Sequence, residues 1–304
     1  MAFSLNTKGL RVSRQAGGKS LLAYFFLAPA VLLYFTFKIL PMIAGIYLAL
    51  LRWNGLDPPV FIGLQNFAKL AKDELILSAL WHNVEYALGT VVSKITLSLF
   101  LAILLNQGLK AQGFYRTALF MPVVMSFVVV GILWTWLYDA QFGIINQLLT
   151  TMGLKFLIAD WLGDPKVALR SLIVVDIWKW YGFHMVIFLA GLQGIPQQLY
   201  EAARIDGASR WRQFTRITLP LLQSVMLVNV TTSLMGGFNV FDIPMVMTEG
   251  GPANSTLVAA LHIYIRGFKF YRFGYSAAMS YALLILVTLI AAIQIKLMSR
   301  DVEG

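Results

Sequence analysis

The chain has 304 residues, 59% of them hydrophobic and 12% charged, with a net charge of +10 and no cysteine. Soluble domains carry about 25% charged residues, so the composition is that of a polytopic membrane protein, and disulfides, thiolate catalysis and Cys-based metal sites are excluded. The basic residues are scattered over loops rather than gathered on one face, which points to membrane topology and not to nucleic acid. Residues 1–20 form a basic tail with Lys8, Arg11, Arg14 and Lys19. The apolar run that follows, Leu21 to about Leu51, is too long for a signal peptide and has no clear small-residue cleavage site. It predicts a retained first span over Leu21–Leu50, with Pro41 kinking its outer end. Gly18-Lys19-Ser20 imitates the close of a phosphate loop, but Ser13 stands where the first glycine is needed and no strand precedes it. Five more apolar runs predict spans at Asn83–Leu105, Thr117–Tyr138, Leu169–Leu192, Thr218–Val240 and Tyr275–Leu297. All are expected to be helices, because open strands leave backbone groups unsatisfied in lipid.

Six spans place both termini on one side. On that side the segments 1–20, 106–116, 194–218 and 296–304 carry 12 Lys/Arg in 65 residues. The opposite loops, with Arg170, carry 9 in 96. The denser side is expected to be the cytoplasm, N-in and C-in. Trp53, Trp81, Trp134, Trp136 and Trp161 fall near predicted interfaces, as headgroup-level anchors do.

The polar segment between spans four and five then becomes cytoplasmic. Pro196 suits the first turn of a helix. Along Gln197–Asp206, the residues Leu199, Ala202, Ala203 and Asp206 share one face, and the two alanines leave room for another backbone. Gly207 fits a left-handed helix cap, Ser209 an N-cap, and Pro220 the opening of the fifth span. A plain helical hairpin carries the same caps.

The spacing Glu201-Ala202-Ala203, three residues, Gly207, nine residues, Ile217-Thr218-Leu219-Pro220 resembles the cytoplasmic signature of permease subunits of bacterial ABC importers. Asp206, Ala208 and Phe214 also fit. Met121-Pro122-Val123-Val124 through Trp134-Thr135-Trp136-Leu137 and Gly143-Ile144-Ile145-Asn146 resembles the carbohydrate-importer branch. So does Phe241-Asp242 with Thr248-Glu249-Gly250-Gly251-Pro252 and Ser255-Thr256. The likeness is to the maltose- and glycerol-phosphate-type first permease and begins after the first ~20 residues. It implies an all-α, six-helix type I ABC importer permease fold over residues 21–304, with a coupling loop at 194–218, in a bacterial inner membrane. It further implies a second homologous permease, two ABC ATPase subunits that bind ATP and Mg, and an extracytoplasmic solute-binding protein. Glu201, Ala202, Ala203, Asp206, Gly207 and Ala208 would dock in the ATPase. The chain itself shows no Ser/His/Asp set, no paired carboxylates and no metal spacing among His82, His184 and His262, so no cofactor is expected in it.

Ionisable groups inside spans cost at least ~2.5–3.5 kcal/mol each on insertion scales and are functional candidates by default. These are Lys38, Glu85, Lys94, Asp176 and Lys179. Lys38 and Lys94 can snorkel or pair, and Glu85 lies near the outer interface. Asp176 shares a helical face with Trp180 and Phe183, and Lys179 adjoins it. A carboxylate beside aromatic rings suits sugars, whose hydroxyls need acceptors and whose C–H faces stack. In the fifth span Asn229, Ser233 and Gly236-Gly237 recur at the same spacing, and Asn239 follows. Such stripes also serve helix packing. The resemblance implies a sugar site at Asp176, Trp180, Phe183, Ser233, Gly236, Gly237 and Val240. There an acid replaces the family's amide at 176, and Gly and Val replace larger or amide groups at 236, 237 and 240, which argues against maltose itself. Two other readings stay open, a permease for another solute such as a sugar phosphate and a self-contained proton-coupled transporter using Asp176 and Glu85.

Overall fold

A computed structural model describes residues 17–108 and 110–299. The predicted tail 1–20 falls mostly outside the described residues, Lys8, Arg11 and Arg14 with it. Helix α1 (Gly17–Tyr34) runs through a π-turn, Phe35–Ile39, into α2 (Leu40–Ala49). Pro41 dictates that turn. It has no N–H to donate and its ring presses on the carbonyl one turn back, and one extra residue in the turn relieves the clash. The irregularity that accompanies Pro41 is therefore this π-turn on its N-terminal side. The same device, a π-turn at Phe214–Thr218, precedes Pro220.

A two-stranded antiparallel ribbon follows, β1 (Leu51–Arg52) and β2 (Val60–Phe61), with Leu51 opposite Phe61. It lies in the loop between the first two spans, and every span is helical. Asn54 makes the reversal, its side-chain oxygen accepting from Leu56 N–H at 3.1 Å and Asp57 N–H at 2.9 Å. Helix α3 (Gln65–Leu70) leads to α4 (Glu74–Leu105), whose start lies well before the predicted Asn83. Asp73 caps it, accepting from Leu75 N–H at 3.1 Å and from the Tyr275 hydroxyl at 2.7 Å. Burial alone would raise the Asp73 carboxyl, but those two donors together with nearby His262 and Arg266 hold it below its usual range.

The predicted third span is not continuous. It is two helices, α5 (Gln112–Val124) and α6 (Phe127–Leu137), bent by 97°. Met125 and Ser126 are extended, and Ser126 accepts from Val128 N–H at 3.3 Å as the N-cap of α6. Then come α7 (Ile144–Thr151), α8 (Ala168–Gln193), α9 (Gln197–Ile205), α10 (Arg210–Gln213), α11 (Leu219–Leu221) and α12 (Gln223–Phe238). Last are α13 (Asp242–Met247), α14 (Ala259–Tyr264) and α15 (Phe273–Ser299). Among the described residues five stretches are long and apolar enough to cross a membrane, and the bent pair makes a sixth if counted as one.

The core lies where α4, α8 and α12 meet. On α4 the buried residues Asn83, Ala87, Thr90, Lys94, Ser98 and Ala102 recur every three to four positions, and the small ones let α8 and α12 close in. A Cβ on Gly237 would lie 2.8 Å from the Ala87 Cα, so this crossing admits only glycine. Asn83 ties three helices. Its amide donates to Gly237 O and Phe238 O at 3.3 and 3.0 Å, and its oxygen accepts from Ala259 N–H at 2.7 Å. Those bonds satisfy helix-end groups of α12 and α14 that would otherwise stay unpaired. Trp134 and Trp161 pack against this core, whereas Trp81 and Trp136 are exposed as interface anchors are.

Candidate functional site

Two places carry the residues singled out by sequence. The first is the polar excursion between α8 and α12. Pro196 takes the N-cap position, one step ahead of the predicted first turn, and α9 buries none of its residues. Its end is a complete Schellman motif. Gly207 has φ +74°, Ala208 N–H donates to Ala203 O at 2.8 Å, and Gly207 N–H donates to Arg204 O at 3.1 Å. Ser209 then accepts from Arg212 N–H at 3.3 Å and caps α10. The Tyr200 and Thr218 hydroxyls bond at 2.9 Å and fasten α9 to the base of α11. Glu201, Ala202, Asp206 and Gly207 are exposed, and Ala203 and Ala208 half-buried. Around them Leu199, Ile205 (87% exposed) and Trp211 (71%) present apolar surface to water. Behind α9 a cavity of about 1130 Å³ is lined by Gln193, Tyr200, Arg204 and Gln213 among others.

The second place is the interior between α4, α8 and α12. Lys94 Nζ donates to Asp176 Oδ2 at 2.8 Å, both side chains less than a tenth exposed. His184 Nδ1 and Asn229 Oδ1 lie 2.8 Å apart and join α8 to α12. The Ser233 hydroxyl is buried without a partner, and so is that of Tyr86, which lies close to Asp176. Trp180 and Phe183 stand edge to face with centroids 5.8 Å apart, and Trp180 also meets Phe127 at 6.1 Å. Lys179 turns away from Asp176. Its Nζ donates to Met125 O at 2.6 Å, Val123 O at 3.3 Å and Pro122 O at 3.4 Å, over the Phe127 ring at 4.6 Å.

Residues 94–303 match the family described as binding-protein-dependent transport system inner membrane component. The chain belongs to this family. It is 35% identical over 286 residues to the probable ABC transporter permease protein YurN of Bacillus subtilis (strain 168), covering 93% of this chain and 98% of that protein. It is 35% identical over 275 residues to the lactose transport system permease protein LacF of Rhizobium radiobacter, covering 89% and 92%. Its fold is that of a chain in a bacterial ABC transporter that imports the acidic polysaccharide alginate, with a TM-score of 0.81, 24% identity and coverage of 93% and 96%.

The permease fold thus brings the predicted interior residues to one region but gives them different environments. Trp180, Phe183 and Gly236 are accessible, whereas Asp176, Ser233, Gly237 and Val240 are buried. Asp176 is engaged by Lys94, and Gly237 by the α4 crossing. The open stripe of α12 runs one position off the predicted one, through Val228, Thr232, Met235-Gly236 and Asn239 to Asp242 beyond the helix. Thr232, not among the residues expected from the sequence, is exposed on that stripe. Its hydroxyl back-bonds to Val228 O at 2.8 Å, and Asn239 likewise bonds Met235 O at 2.9 Å. Glu85 sits 3.7 Å from Arg170 in a largely exposed pair, and Lys38 is exposed on the first span.

Proposed function

We propose that this permease is one of two homologous membrane subunits of an ATP-driven importer for a carbohydrate or related polyol in a bacterial inner membrane, with both termini cytoplasmic. A solute-binding protein delivers cargo to the outer face. Two ABC ATPase subunits bind ATP and Mg, and the chain itself hydrolyses nothing. The observation that carries this reading is α9, a rigidly capped helix with apolar residues exposed to water and none buried in its own chain. Such a helix fits a partner's cleft. If the partner grips Glu201–Ala208 differently in its two nucleotide states, the difference in contact free energy switches the access of the membrane cavity. The carbohydrate class is supported by the sequence relationship to a lactose transport system permease protein and by the half-buried Trp180–Phe183 pair. The substrate path runs past Trp180, Phe183 and Gly236, with Asp176, Ser233, Gly237 and Val240 behind it.

Coupling is tested by Glu201→Lys and Gly207→Arg. Gly207 stands at φ +74°, which disfavours a side chain, and the open space around it would turn an arginine toward the partner. Both variants are expected to insert normally and to lose binding-protein-stimulated ATPase activity and uptake. Normal stimulated uptake in both would remove the coupling role.

A further inference from the structure

The loop between the first two spans folds back over the start of the last span and encloses a cavity of about 670 Å³. Its wall carries three cations, Arg52, Lys69 and Arg272, and three aromatic rings, Trp53, Tyr271 and Tyr275. None of the three ion pairs found among the described residues uses these cations. The three cations face one acid on the cavity wall, Asp57. Asp57 accepts from the Asn54 amide at 2.7 Å, and Asp73 holds the Tyr275 hydroxyl. Lys69 Nζ lies 5.1 Å from the centroid of the Tyr275 ring, a contact that orients the ammonium without neutralising it. The cavity therefore keeps a surplus of positive charge.

Its depth is set by the spans. Arg52 follows the end of α2 at Ala49 by three residues, and Arg272 immediately precedes α15 at Phe273. Both cations stand within about one turn of apolar helix, the level at which lipid phosphates lie. The surrounding loop exposes Leu56, Phe61 and Leu64. Cations, belt aromatics and apolar tips together are the pattern of a segment lying in the membrane interface. We propose that this cavity binds the phosphate of an anionic phospholipid, with Arg52, Lys69 and Arg272 as donors and the apolar tips against its acyl chains. Guanidinium forks suit phosphate oxygens. The lipid would sit at the outer end of the seam where α2 packs on α15.

The test is a native mass-spectrometry titration of the delipidated permease complex with phosphatidylglycerol, phosphatidylcholine or inorganic phosphate. The wild type is expected to bind phosphatidylglycerol in preference to phosphatidylcholine, and millimolar inorganic phosphate is expected not to displace it. Arg52→Gln/Lys69→Gln/Arg272→Gln should weaken phosphatidylglycerol binding about tenfold or more and leave phosphatidylcholine unchanged. Should the triple variant fail to assemble, Arg52→Gln and Arg272→Gln singly, both at exposed positions, are expected to show smaller losses in the same sense. Unchanged phosphatidylglycerol binding in the variants overturns the proposal. So does displacement by inorganic phosphate, which would mark a soluble-anion site. Loss of binding-protein stimulation with lipid binding intact also overturns it and assigns the surface to the delivery protein.

Discussion

Lys94 and Asp176 show how a residue-scale reading of one helix changes once its neighbour is in place. On α8 alone, Asp176 is an acid beside aromatic rings. Against α4 it is half of a buried pair, 2.8 Å from an ammonium that has no other acceptor as close. Breaking one half leaves the other charge uncompensated in a low-dielectric setting, at a cost of about 3–5 kcal/mol, whereas replacing both with apolar groups of similar volume is near neutral. Lys94→Met and Asp176→Leu are each expected to lower the thermal stability of the purified transporter strongly, and the double variant to regain most of it. A double variant no more stable than the singles would rule out the pair as the cause. The pair also ties up the Asp176 carboxylate, and a sugar reaching Asp176 must first displace Lys94. If the double variant regains stability but not uptake, Asp176 touches the solute as well. The unpartnered hydroxyl of Ser233 points the same way, since buried polar groups without partners are uncommon.

At the scale of elements, the broken third span was the feature hardest to read from the sequence. Hydropathy sees one apolar run, because Pro122 and Ser126 are too few polar or breaking residues to interrupt it. The signal was local. A proline near a helix end and a serine before Phe127-Val128-Val129-Val130 is a stop and an N-cap in succession. What made the break tolerable came from another helix and no window on this segment held it. Lys179 supplies charged donors to the Val123 and Met125 carbonyls at the break, and to Pro122 O, which also accepts from Met125 N–H. Lys179→Met is expected to destabilise the protein by about 1–3 kcal/mol and to raise protease sensitivity between α5 and α6. Lys179→Arg, which keeps charge and donors, should recover part of both, and equal behaviour of Met and Arg variants would exclude the capping role. By contrast, the α9 motif was legible almost to the residue, because turn and cap chemistry is local. The substrate side was legible only as a set of helices. The phase of α12 slipped by one position, since Gly236-Gly237 offers small residues to either face and only the contact with Ala87 decides which one is buried.

The whole molecule carries that slip into a claim about assembly. Thr232, Gly236, Asn239 and Asp242 form an exposed polar line along an otherwise apolar span. Lipid is a poor partner for such a line, so it must face a water-filled path or a second subunit. Alternating access requires the line to be wet in one state and closed in the other. The chain has no cysteine, so single cysteines report cleanly on that exchange. In the assembled importer, Thr232→Cys and Asn239→Cys are expected to react with a water-soluble maleimide at rates that differ about fivefold or more between nucleotide-free and ATP-trapped complexes. Ser233→Cys, turned into the contact with α4 and α8, should stay slow in both. Equal rates at 232 and 233 would mean that α12 rotates about its axis in the complex, and the path would then run along the buried face that the sequence stripe first suggested. Fast labelling at 232 unchanged by nucleotide would instead leave α12 outside the moving pathway, and the coupling proposed at Glu201–Ala208 would have to act on α8 alone.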